Sequence, residues 1–86
     1  MHEMSIAMEV CRITRERAGT EDCGRISRVG VEVGDQSGVE ADNLLFWLEV
    51  LLAEPPFQGA SPIILPRKGD VLRVSYLEVE NGGTKD

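Results

Sequence analysis

Residues 25–40 read Arg-Ile-Ser-Arg-Val-Gly-Val-Glu-Val-Gly-Asp-Gln-Ser-Gly-Val-Glu, and this stretch decides the fold. Val29, Val31 and Val33 alternate with Arg28, Gly30 and Glu32. That period of two describes a strand over residues 25–34 with one side buried and the other facing water. Gly34 to Gly38 is a turn, and Ser37 is placed to cap the helix that follows. Glu40 and Asp42 then fall in the first turn of that helix, where the macrodipole favours carboxylates.

Working outward, residues 39–54 form this helix, and Pro55-Pro56 ends it. Upstream, Ser5, Glu9, Arg12 and Glu16 recur at helical spacing from Met4 to about Ala18. Ile6, Val10 and Ile13, flanked by Ala7, Cys11 and Ala18, line the opposite side, and Gly19 is a natural stop. Downstream, Ala60 to Pro66 carries a short strand that Pro62 and Pro66 restrict to an edge position or to its ends. Arg67 to Asp70 is a tight connection into the longest strand, Val71 to Glu80. Strict alternation there puts Val71, Arg73, Ser75, Leu77 and Val79 on one side, and Leu72, Val74, Tyr76, Glu78 and Glu80 on the other.

The order is helix, strand, helix, strand, strand. It predicts an α+β fold in which both helices cover one face of a three-stranded mixed sheet, in a single two-layer domain. The strand–helix–strand passage suggests a right-handed crossover, and the last two strands a hairpin. The domain is expected over residues 1–80. Residues 81–86, with nothing to bury, are expected to be a mobile tail.

The chain has 86 residues, enough for one core and not for two, and 42% of them are apolar. A net charge of −6 argues against nucleic acid, whose affinity comes from Lys and Arg neutralising phosphates. Arg12, Arg15, Arg17, Arg25 and Arg28 are interleaved with Glu9, Glu16, Glu21 and Asp22, which reads as a solvated mixed-charge face. No apolar run is long enough to span a bilayer, and the acidic start is unlike a signal peptide, so a cytoplasmic location is expected. Cys11 reads as a small core residue and Cys23 as a loop thiol. With one histidine and no C-x-x-C pair they cannot make a structural zinc site. No Gly-rich phosphate loop is present, and no nucleophile has a histidine base in reach, so an enzyme is not expected.

Two stretches remain as functional candidates. The second helix is apolar almost all round, and a domain this small cannot bury every face of it. Leu45, Trp47 and Leu51 are the candidate surface for self-association or a partner, with partial cover by Pro56-Phe57 as the alternative. The opening Met1-His2-Glu3-Met4-Ser5 contains the only histidine, one residue from the α-amine. Amine, backbone amide and imidazole can close chelate rings on one ion, and Glu3 can add a donor from its amide or its side chain. Such a planar nitrogen-and-oxygen set suits Ni(II) or Cu(II). The plainer reading of a lone terminal histidine is a solvated side chain.

The opening Met-His-Glu-Met-Ser-Ile-Ala, taken with residues 31–40, resembles the HypA/HybF family of nickel-incorporation accessory proteins for [NiFe] hydrogenase maturation. The resemblance continues through Leu44, Phe46, Glu49 and Val50. It returns in Gly69-Asp70-Val71-Leu72-Arg73-Val74 and Leu77-Glu78. It implies that His2 is a nickel ligand, with the Met1 amine and Glu3 completing the site. Glu40 falls where the family also has an acidic residue, a secondary-ligand candidate whose alternative is a plain helix N-terminal carboxylate. The family's zinc-binding insertion, two C-x-x-C pairs between the second and third strands, is replaced here by Arg67–Asp70. No zinc is therefore expected. The implied partners are a hydrogenase large-subunit precursor and the GTPase HypB. A scaffold that has lost its metal chemistry and acts as an interaction or regulatory module is the competing expectation.

Overall fold

The structure, a computed structural model, describes residues 3–80. Its elements are α1 (Glu3–Ala18), β1 (Ile26–Gly34), α2 (Ala41–Leu52), β2 (Ser61–Arg67) and β3 (Leu72–Val79), with a single 3-10 turn at Cys23–Arg25 before β1. The three strands form one mixed sheet in the order β2-β1-β3. β1 pairs parallel with β2 and antiparallel with β3. α1 packs on α2 and β3, and α2 on α1 and β2, so the two helices lie side by side against the sheet. The expected tail, residues 81–86, lies outside the described residues.

The core follows from the two periodicities. Val29, Val31 and Val33 from β1 meet Ala7 and Val10 from α1 and the fully buried Leu44, Leu48 and Leu52 from α2. The leucines recur every four residues, one stripe of a helix. Burying each such side chain contributes about 1.5–3 kcal/mol. Thr14 is also fully buried, and its hydroxyl donates to Val10 O at 2.7 Å, so the polar atom is satisfied within its own helix. Cys23, expected as a loop thiol, is instead buried, with Sγ 3.3 Å from Gly19 O. The 3-10 turn folds that segment back under α1.

Two further expectations are corrected. β2 and β3 do not form a hairpin; β1 lies between them. The connection after Arg67 must therefore cross two strand spacings, roughly 10 Å, rather than one. It does so as an arch over the end of β1. Gly34 N donates to Val71 O at 2.6 Å, Asp35 N to Arg67 O at 2.9 Å and Gln36 N to Gly69 O at 2.9 Å. Asp35 Oδ1 accepts from Gly69 N at 2.7 Å. Of the two placements expected for Pro62 and Pro66, an edge strand or the ends of one, the first is met, since β2 is an edge.

Strict alternation along β3 also fails. The register shifts between the pairs Gly30–Tyr76 and Val31–Val74, leaving Ser75 as a bulge residue. Leu72, Val74 and Leu77 consequently share the helix-facing side with Val33, Val31 and Val29, whereas Arg73, Tyr76 and Glu78 share the outer side with Glu32, Gly30 and Arg28. On that outer face Glu32 is buried between Arg73 Nε, at 2.7 Å, and Arg67 Nη2, at 3.6 Å. The Arg73 hydrogen bond holds the Glu32 carboxyl below the usual carboxylate range.

Two glycines on β1 are required for different reasons. A Cβ on Gly34 would overlap the Gly69 carbonyl and Val71 N, which are backbone, whereas one on Gly30 would meet the ring of Tyr76. The ring can swing aside; the arch cannot. Gly34→Ala should cost about 3 kcal/mol or more, and Gly30→Ala about 1 kcal/mol, by urea unfolding. The Gly30→Ala cost should shrink in a Tyr76→Ala background. Glu32 gives a pH test. Its folded pKa is depressed, so its stabilisation is present above the unfolded value, near 4.5, and is lost as pH falls through the folded value. Glu32→Gln should therefore flatten the stability profile below about pH 4.5 and lower the plateau above it, read from denaturant midpoints across pH.

Candidate metal centre

The described part of the opening motif starts at Glu3, the first residue of α1. The first N–H groups of any α-helix have no carbonyl partner within the helix, and the Glu3 carboxylate is bonded to its own backbone N–H. The Glu3 side chain does not point into solvent. Its Oε2 accepts from Glu40 N at 2.9 Å, and its Oε1 accepts from Asn43 Nδ2 at 3.3 Å. These hydrogen bonds, that from the Glu40 N–H first, hold the Glu3 carboxyl below its ordinary range.

Glu40 is brought to the same place. It is the N-cap of α2, with an extended backbone and Oε1 accepting from Asn43 N at 3.3 Å. The cap is thus Glu40 rather than Ser37, whose hydroxyl accepts from Val39 N at 3.2 Å inside the preceding turn. Helix α2 starts at Ala41, two residues later than expected. The helix N-terminal role weighed for Glu40 is the one its side chain performs here.

Two candidate residues, Glu3 and Glu40, therefore meet where the N-termini of both helices converge. Asn43 is the residue missed by sequence reading. It bridges both carboxylates, and the only signal was its place three residues after the cap, the spacing of a capping box. An open groove beside them is lined by Glu3, Met4, Ser5, Asn43 and Trp47. Met1 and His2 lie outside the described residues. Among the described residues no group of three or more His, Cys, Asp or Glu is arranged to hold a metal. The carboxylates alone supply two, both engaged with backbone amides. Cys11 and Cys23 are free thiols. Burial pushes the Cys11 thiol up to about 11, so it is not a thiolate near neutral pH.

The candidate partner residues on α2 divide by exposure. Trp47 and Leu51 are half-buried against the core and Leu45 is half-buried, whereas Phe46 is 53% and Val50 40% exposed. Met4 and Met8 of α1 are exposed as well. Phe46 and Trp47 touch edge to face, with ring centroids 5.3 Å apart. Among the described residues no helix is long and apolar enough to cross a membrane.

The Glu3 clasp is testable by itself. Glu3→Gln keeps the shape but removes the charge that favours the α2 N-terminus. Stability should fall at neutral pH and become less sensitive to acid, because a depressed folded pKa contributes above the unfolded value and not below the folded one. Thermal unfolding of both forms at pH 7 and pH 3.5 reads this directly.

Comparison with known proteins places these features in a family. Residues 1–79 match the family described as "Hydrogenase/urease nickel incorporation, metallochaperone, hypA". The hydrogenase maturation factor HypA of Chlorobaculum parvum is 39% identical over 64 residues, 74% of this chain and 57% of its own length. That of Alkalilimnicola ehrlichii is 35% identical over 69 residues, 80% of this chain and 61% of its own. That of Azorhizobium caulinodans is 32% identical over 69 residues, with the same coverage of 80% and 61%. The chain thus spans about three fifths of the length of the curated relatives it matches. With the family match running from the opening motif through β3, the chain belongs to the HypA family of nickel-incorporation metallochaperones, proteins of hydrogenase maturation rather than enzymes.

Proposed function

We propose that this domain carries Ni(II) at its N-terminus and hands it to a hydrogenase large-subunit precursor, with a HypB-type GTPase as an accessory partner, in the cytoplasm. The observation that supports this reading is the clasp of Glu3 onto Glu40 N and Asn43. It anchors the residue that follows His2 in a folded frame, beside a second carboxylate, rather than on a free chain end. Because the Glu3 carboxylate is engaged by α2, its contribution is the backbone amide, with the Met1 amine and the His2 amide and imidazole as the other nitrogen donors. Glu40 stands by as a carboxylate at the rim. Nitrogen donors in this number suit Ni(II). No zinc is required by this donor set.

Each donor must lose its proton before it coordinates. The ordinary values are about 6.5 for imidazole and about 7.7–8.0 for an α-amine, so affinity should fall steeply as pH drops below 8. Ligation that depends on pH in this way suits a carrier that must release its cargo.

A second reading is an interaction or regulatory module without metal, favoured by the outward-facing Phe46 and Val50 on α2. Calorimetric titration with Ni(II) separates the two. The first reading expects one equivalent bound by the protein with a free Met1 amine, and none after His2→Ala or after residues are appended before Met1. Binding that survives both changes would put the nickel elsewhere. No binding by the unmodified protein would favour the module.

A further inference from the structure

β3 is an edge strand unlike the other edge of the sheet. β2 carries Pro62 and Pro66, which cannot donate to a further strand. β3, Leu72–Val79, has no proline. Beside it, between α1 and the strand, lies an apolar cleft of about 130 Å³ lined chiefly by Ile6, Val10, Ile13, Leu72 and Val74. Leu72 and Val79, at the two ends of the strand, are 37% and 38% exposed.

The strand is complementary to itself read backwards. Antiparallel to a copy of itself, Leu72 falls opposite Val79, Arg73 opposite Glu78 and Val74 opposite Leu77. In a regular strand these pairs would put unlike faces together, because each joins an odd and an even position. The bulge at Ser75 removes that conflict. Arg73 and Glu78 both lie on the outer face, and Leu72, Val74 and Leu77 on the helix-facing side. The outer face already pairs Arg28 with Glu78 at 3.0 Å and Glu32 with Arg73 at 2.7 Å.

We propose that the β3 edge is the docking surface for a second copy of this chain, the two sheets joining antiparallel through β3 into one six-stranded sheet about a two-fold axis. Across the joint the outer face then reads Arg28, Glu78, the partner's Arg73 and the partner's Glu32, charges alternating throughout. This ladder sets the register more than the affinity. On the other face, a two-fold axis perpendicular to the sheet brings the two α1 helices side by side. Ile6 and Ile13 of each then close the cleft of the other, and main-chain hydrogen bonds along β3 hold the strands.

The single chain carries a guard on this edge. Val71 O faces β1, where it accepts from Gly34 N, so by the alternation of an antiparallel ladder Val74 O faces outward. Arg17 Nη1 donates to it at 3.1 Å. Docking displaces this contact, so Arg17 opposes association.

Sedimentation velocity on the whole chain over a wide concentration range tests the proposal, with amide hydrogen exchange at low and high concentration. A monomer–dimer equilibrium is expected, with concentration-dependent protection of amides in residues 72–79. Glu78→Arg sets like charges against Arg73 twice per dimer and should weaken association about tenfold, whereas Arg17→Ala should tighten it several-fold. Circular dichroism verifies that the variants fold, and the wild-type exchange data do not depend on them. A monomer throughout, a dimer indifferent to both substitutions, or protection confined to α2 would each overturn the proposal. None of these readouts involves nickel, so the outcome is independent of the metal site.

Discussion

The close approach of the 68–71 arch to Gly34 is the constraint from which the sheet follows. A central strand flanked by two partners of opposite direction needs a connection that crosses its end, and that end must carry no side chain. Gly34 meets the condition: its N–H is bound to Val71 O, and the space a Cβ would take is filled by the Gly69 carbonyl. Asp35 then fixes the arch with a side-chain acceptor for Gly69 N, itself a left-handed residue at φ +90°. With the arch set, β1 is shielded on both edges, and its near-complete burial follows. Without it, β2 and β3 could pair directly and β1 would be left at an edge, with Val29, Val31 and Val33 in the wrong place.

The same logic of shared termini governs the other end of the molecule. Two helix N-termini that converge would place unpaired N–H groups and two positive dipole ends together, an unfavourable arrangement unless negative charge is supplied. Glu40 caps its own helix, and Glu3 reaches from the other to accept from Glu40 N. The clasp therefore places negative charge at the junction and ties α1 to the start of α2. On the nickel reading this has a consequence for the ligands. A Glu3 carboxylate that turned to a metal would abandon the α2 N-terminus, and so the amide is the donor that costs the fold least.

Much of this was legible in the residues. The 3.6 and 2.0 periodicities located both helices and all three strands, and Pro62 and Pro66 marked β2 as an edge. What was not legible depended on pairing rather than on pattern. The sequence of Arg67–Asp70 is as suited to a hairpin turn as to an arch; only the presence of β1 between its neighbours distinguishes them. The bulge at Ser75 has no local mark, since LRVSYLEV alternates plausibly in either phase until its partners on β1 are known. Cys23 looked like a loop residue because its burial comes from a 3-10 turn of only Cys23–Arg25. At the candidate centre, Glu3 was marked by its place beside His2, and Glu40 by its place at the start of α2 and by the family resemblance. Their joint dependence on Asn43 was not readable, because Asn43 lies 40 residues from Glu3 in the chain.

The division of labour between the two faces of the sheet explains why so small a domain tolerates exposed apolar residues. The helix-facing side holds the valines and leucines that stabilise the fold, and the outer side holds Glu32 in a double arginine grip beside Tyr76 stacked over Gly30. Neither arrangement draws on Phe46, Val50, Met4 or Met8, which are exposed on the helices. None of the four belongs to the buried core, so burial there does not account for their apolar character. The exposed apolar surface that remains lies on the helix layer, at these four residues, and at the two ends of β3, at Leu72 and Val79. On the nickel reading, side chains that are apolar, exposed and outside the core are available to a partner at no cost to the fold.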